Sequence, residues 1–256
     1  MKFLCLSDYR GASQYLPQVP LMIQAEEPDF IFYCGGSMVG EKRQLEYETA
    51  RKFHSKPDTE SPELEDELVK DTAHLQHFIQ ALADSQKVVY TIPGETDAPE
   101  SAYFKTVYNY AHIYPNFKPT HEVMHREDLF MVAGFGGDLT LAEDNRELVL
   151  QYSQTWVEFA LRRLEYYPGE KILMFHVPPV CRLDKSGEEH CGVLSVNEII
   201  EKLSPKLVLC GKAFSGQGTV KMGTATVVNP GPFFDGHYAV IDHATMEVKF
   251  KNVKSL

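Results

Sequence analysis

The chain has 256 residues, 43% of them hydrophobic and 24% charged, which is enough to bury a large core in one α/β domain. Its formal net charge of −11 excludes nucleic acid and anionic membrane surfaces as general partners, because both would repel it and only a local basic pocket escapes that argument. No apolar run approaches the ~20 residues that span a bilayer, and residues 1–8 read as a first strand rather than a leader, so a cytoplasmic protein is expected.

The pattern then alternates along the chain. Lys2 to Ser7 is a short apolar run ending at Asp8, and Leu16 to Ala25 reads as a helix whose start Pro17 and Pro20 delay. Phe30 to Cys34 is a second strand, closing on Gly35-Gly36. A charged stretch follows from about Glu41 to Ser85. Its first half, Glu41 to His54, suits one helix, with Lys56-Pro57-Asp58 as the break. In its second half, Ser61 is a candidate N-cap, Pro62 suits the first helical position and acidic residues fill the first turn. Leu64, Leu68, Leu75, Ile79 and Leu82 recur there at helical spacing, which predicts a helix over 61–84 with Glu65, Asp66 and Lys70 in solvent.

Val88 to Ile92 is a third strand, stopped by Pro93-Gly94, and Leu129 to Gly134 is a fourth, closing on Phe135-Gly136-Gly137-Asp138. Leu148, Tyr152, Trp156, Phe159 and Arg163 mark one stripe of a helix that ends before Pro168-Gly169. Lys171 to His176 is another strand. Ser195-Val196-Asn197-Glu198 has the capping-box pattern for a helix reaching Leu203. Lys206 to Cys210 is a strand ending at Gly211-Lys212, and from Gly218 onward short strands are joined by Gly223, Pro230-Gly231 and Asp242-His243. The five cysteines, with Cys5, Cys34 and Cys210 in or beside strands, fit reduced thiols better than a disulfide framework.

Strands alternating with helices, followed by an all-β tail, indicate an α/β fold with layered mixed sheets flanked by helices. With no internal repeat and no low-complexity linker, residues 1–256 read as a single domain. Its strand ends are chemically unusual. They deliver Asp8 with Arg10, Glu95 with Asp97 in VVYTIPGETDAP, His176, and Lys212. Open α/β sheets bind ligands at the carboxyl edge of their strands, so recurrence of ionisable groups there marks a candidate site.

These fragments, in this order, resemble the calcineurin-like metallophosphoesterases. That family carries D-x-H, G-D-x-x-D/N, G-N-H-D/E, a lone His and G-H-x-H after successive strands. This chain offers Asp8-Tyr9-Arg10, Gly35-Gly36, Gly94-Glu95-Thr96-Asp97, His176 and Gly211-Lys212-Ala213-Phe214. The resemblance implies a layered β-sandwich of mixed sheets between helices, and a cleft built by these residues. It also implies a site that has changed. Of the family's seven metal-ligand positions only Asp8 and His176 match; the others read Arg10, Gly36, Glu95, Lys212 and Phe214. Thr96 stands at the general-acid position and cannot supply a proton near neutral pH, and Asp97 matches the usual carboxylate partner of that missing His.

The substitutions have an electrostatic logic. Carboxylates crowded at strand ends need compensating cations, and Arg10 beside Asp8, with Lys212 beside Glu95 and His176, would stand in for two metals. The leading expectation is therefore a family member with a degenerate metal site and no metal cofactor, which binds a phosphate-bearing small molecule or a protein partner through Asp8, Arg10, Glu95, Asp97, His176 and Lys212. A first alternative is an active phosphoesterase using one divalent Mn, Fe or Zn on Asp8, Glu95 and His176. A second is an interaction protein working, or forming homo-oligomers, through 41–85. Cys181, His190 and Cys191 lack the paired spacing of a zinc site, and His74 with His77 reads as a solvated helix face.

Overall fold

A computed structural model describes residues 1–141 and 145–256. Two six-stranded mixed sheets face one another. In the first, Lys2–Leu6, Phe30–Tyr33, Val88–Thr91 and Phe117–Pro119 run parallel, and His237–Asp242 and Val248–Asn252 extend the sheet antiparallel beyond Lys2–Leu6. In the second, Phe130–Phe135, Glu170–Phe175, Leu207–Leu209 and Ala225–Asn229 run parallel, edged by antiparallel Met124–Arg126 and Gly218–Met222.

The period of two along each strand decides what faces what. Phe3, Cys5, Phe32, Tyr90 and Ile92 point toward the second sheet and meet Val132, Ile172, Met174 and Leu209 in a buried layer between the sheets. Leu4, Leu6, Ile31 and Val89 point the other way, into helices Gln18–Glu26, Pro62–Ala83 and Glu100–Ile113. Gln154–Leu161 and Leu194–Leu203 cover the outer face of the second sheet. This is the expected layered α/β sandwich.

The charged stretch forms two helices, Glu41–Phe53 and Pro62–Ala83. Leu64, Leu75, Ile79 and Leu82 are buried, Leu68 is half-buried, and Glu65, Asp66 and Lys70 are exposed, as their spacing predicts. Ser61 holds the N-cap position with extended backbone, although its hydroxyl makes no cap bond. The same face also buries Asp71 and Phe78.

Three local expectations change. Residues 148–163 are not one helix: Leu148 and Tyr152 precede it, because Gln151–Ser153 pairs as a strand with Asp138–Thr140. The helix begins after Ser153, whose hydroxyl accepts the Trp156 N–H, and it buries Val157 and Leu161 while Trp156 and Phe159 stack on its exposed side. Ser195 is not an N-cap either. The helix starts two residues earlier, at Leu194 with Val193 as N-cap, and Ser195 is buried in its first turn. Glu100–Ile113 is a helix absent from the sequence reading, although Tyr103, Thr106 and Val107 mark its buried face at i, i+3 and i+4.

Candidate functional site

The loops after the parallel strands of both sheets meet at one edge. His176 follows Glu170–Phe175 and sets its Nδ1 2.7 Å from the Cys34 carbonyl oxygen of the other sheet. Gly211 N–H donates to the His176 carbonyl, and Lys212 N–H donates across to Asp8 Oδ2 at 3.0 Å. Asp8, Arg10 and Lys212 all adopt left-handed backbone, with φ of 55°, 42° and 61°. Such conformations are costly for residues with a Cβ and concentrate where a fold aims side chains into a site. Here the Asp8 and Arg10 N–H groups donate to the carbonyls of Gly35 and Gly36, which hold the turn.

The side chains form a lattice of opposite charges. Arg10 Nη2 lies 2.6 Å from Glu95 Oε1, and the other Glu95 oxygen pairs with His176 Nε2. Asp8 Oδ1 is 3.7 Å from Arg10 Nε, an ion pair longer than a hydrogen bond. Lys212 lies near enough to Glu95 for each to feel the other's charge, but it makes no ion pair with it. Its Nζ reaches Asp138 Oδ2 at 3.0 Å, a residue that sequence marked only as a strand-end carboxylate. Arg10, His176 and Lys212 thus face Asp8, Glu95 and Asp138, three cations to three carboxylates.

Burial alone would raise the Glu95 pKa, but His176, Arg10 and Lys212 outweigh it and hold the carboxyl well below its usual range. Burial would likewise make His176 neutral, yet Glu95 and then Asp8 reverse that effect and lift the imidazole to about 9. Burial dominates at Asp8 and pushes its carboxyl up despite His176 and Arg10.

Four of the positions that the resemblance assigns to metal ligands, Arg10, Gly36, Lys212 and Phe214, offer no metal donor. Glu95 has one oxygen on a guanidinium and the other on an imidazole. At Gly36, the bridging position, φ is +80° and an added Cβ would lie 2.6 Å from Asp8 Oδ1, so a larger ligand there needs the loop to move. Phe214, at the last ligand position, instead lies under Arg10, whose guanidinium sits 4.8 Å from the ring centroid. Phe234 braces that ring edge-on. Asp8 Oδ1, Glu95 Oε2 and His176 Nε2 are all buried without a hydrogen-bond partner, although among the described residues no three His, Cys, Asp or Glu side chains cluster as metal ligands.

Asp97 is close in sequence but faces away from the charge lattice. Its carboxylate accepts N–H groups from Gly36, Ser37, Met38 and Gly94 at 2.7–3.0 Å. Burial still lifts its pKa to about 6, against the bonds from Gly94, Met38 and Gly36. Thr96 donates its hydroxyl to the Met38 carbonyl. Both lock the 36–38 loop to the 94–97 loop. Away from the cleft, His190 pairs with Asp184 at 2.7 Å, and the Cys191 thiol donates to the Asp184 carbonyl. His74, half-buried beside Gly11, is less solvated than its helical position suggested.

A family model described as metallophosphoesterase, calcineurin superfamily, matches residues 1–253. One solved structure, 28% identical, superposes with a TM-score of 0.88 over 98% of both chains. The TT1561 protein of Thermus thermophilus, 22% identical, superposes with a TM-score of 0.77 over 98% of both chains. A dimetal phosphatase from Danio rerio, 11% identical, superposes with a TM-score of 0.59 over 99% of this chain and 96% of that one. No curated protein matches the chain by sequence. Among the described residues, no helix is long and apolar enough to cross a membrane.

Proposed function

The chain belongs to the calcineurin superfamily of metallophosphoesterases, and we propose that within it the chain is a non-hydrolytic binding protein whose two metal positions are taken by side-chain cations. The observation that carries this reading is the Arg10–Glu95 pair at 2.6 Å, continued by Glu95–His176. Arg10 holds one Glu95 oxygen, and a divalent ion at the other would meet the positive charges of Arg10 and Lys212. Hydrolysis would also lack its proton donor, since Thr96 is buried against Met38 and has no accessible pKa.

What remains is recognition at the mouth, where the side chains of Arg10 and Lys212 are each 19% exposed. A phosphate-bearing ligand suits this edge. It would take Lys212 from the half-exposed Asp138 more readily than Arg10 from the enclosed Glu95, because solvent already weakens the first pair.

The test is metal analysis of the purified protein, paired with hydrolysis of a generic aryl phosphodiester in added manganese. We expect no stoichiometric transition metal and no manganese-stimulated turnover. Two metals per chain, or stimulated hydrolysis that disappears in His176→Ala, would overturn the proposal. Titration with inorganic phosphate should give saturable binding that Lys212→Ala weakens; equal binding by both proteins would remove the anion from the reading.

A further inference from the structure

Behind the charge lattice, a cavity of about 310 Å³ opens between the two helices of the charged stretch and the chain after Asp97. Its apolar wall is Leu64, Leu68, Pro99 and Leu148, and its exposed rim carries Glu60, Glu65 and Glu147. A shallower depression lined in part by Leu45, Ser61 and Leu64 continues it along Glu41–Phe53. Leu45 is exposed there, so the two hollows make one elongated, acid-rimmed apolar groove.

The cavity is also lined by Arg43, which is 2% exposed. Its guanidinium lies 2.6 Å from Asp71 and 3.1 Å from Glu67, yet its buried Nε–H has no acceptor among the described residues. An anionic occupant is disfavoured, since Glu67 and Asp71 already outnumber the one guanidinium. The rim glutamates call for positive charge, and the leucines for an apolar side chain.

We propose that this groove binds a lysine- or arginine-bearing peptide segment of a partner protein. A basic side chain would meet the rim of Glu60, Glu65 and Glu147, and a neighbouring apolar side chain Leu64 and Leu68. A second copy of this chain is a poor occupant, because the net charge of −11 sets copies against each other. A free amino acid is poorer still, since its carboxylate would face Glu67 and Asp71.

The groove communicates with the cleft. Asp71 accepts N–H groups from Val39 and Gly40, while Asp97 holds Gly36, Ser37 and Met38, so one loop is gripped by a buried carboxylate on each side.

The test uses the full chain and a fluorescein-labelled heptapeptide of alternating leucine and lysine, read by anisotropy. Peptides with serine for leucine, or glutamate for lysine, serve as controls. Saturable one-to-one binding is expected for the leucine–lysine peptide alone. It should weaken about tenfold in the triple variant Glu60→Gln, Glu65→Gln, Glu147→Gln, and change by less than about twofold in Glu188→Gln, Glu189→Gln, Glu201→Gln. All six side chains are exposed, so both triples should fold. Leu45→Ser should weaken binding as well. Absence of saturable binding would overturn the proposal. So would equal losses in the two triples, which would mean general charge attraction, or self-association abolished by the rim triple, which would assign the groove to a second copy.

Discussion

Glu95 and Asp97 stand two residues apart on one loop, and the regions they serve could hardly differ more. Glu95 enters the cleft and is neutralised by the side chains of Arg10 and His176, at a mouth that water can partly reach. Asp97 turns into the protein and is neutralised by four backbone N–H groups. The cleft is therefore an exchangeable arrangement of charges, whereas the loop behind it is a fixed frame. A binding site can tolerate rearrangement of the first only because the second does not move.

The comparison breaks most visibly at Asp97. Asp97→Ala would leave four buried donors unmet, and we expect a loss of about 4–6 kcal/mol, somewhat relieved by entering water. A urea unfolding midpoint that implies a loss below about 1 kcal/mol, on the scale of an ordinary surface substitution, would show that the frame is not held this way.

Next in size is the cleft pair. Glu95→Gln should cost about 3 kcal/mol, because it strands Arg10 and His176 together. The double variant Arg10→Met, Glu95→Met should cost less than Glu95→Gln, since removing both charges leaves Asp8 and the His176 imidazolium to compensate each other. A double variant less stable than the single one would refute the charge-substitution logic.

Acid and base sharpen the same contrast. His176 has a folded pKa of about 9, above its unfolded value, so its contribution is complete below about pH 6.5 and is lost as pH rises through 9. Glu95 has a depressed pKa, so the same pair also weakens as pH falls below the usual carboxylate range. Asp8 and Asp97 act oppositely on the acid side: their raised values mean that protonation relieves a cost of folding. Stability should be highest between about pH 4.5 and 6, and the loss of about 2 kcal/mol between about pH 7 and 9 should disappear in His176→Gln. An alkaline loss of the same size in His176→Gln would place its origin elsewhere.

The smallest effect belongs to Lys212. Its pair with Asp138 is 19% and 25% exposed, so Lys212→His should cost about 1 kcal/mol and should not create a metal centre, because Gly36 still cannot bridge. Calorimetric titration with manganese should show no saturable site; a stoichiometric one would mean that this single ammonium blocks metal binding.

Much of this architecture is legible in the sequence. Leu64, Leu75, Ile79 and Leu82 repeat at helical spacing and are buried, since periodicity reports directly which face meets a core. The ordered strand ends likewise bring Asp8, Arg10, Glu95, His176 and Lys212 to one cleft, because a parallel sheet sends every carboxyl end to the same edge. The misreadings share a cause. Leu148 and Tyr152 fit a helical period by coincidence, but strand pairing with Asp138–Thr140 claims their segment, and nothing within the segment announces a partner outside it.

Sequence by itself therefore determined most of the order of elements, several of their apolar faces and the identity of the groups at the strand ends, all of which are local properties of spacing and residue type. Only the tertiary structure decided who pairs with whom: Arg10 with Glu95, Lys212 with Asp138, Asp97 with backbone rather than ligand, Arg43 with Asp71. Ion pairing and hydrogen bonding are settled by ångström distances between residues remote in the chain, and desolvation then fixes which of those pairs stay charged.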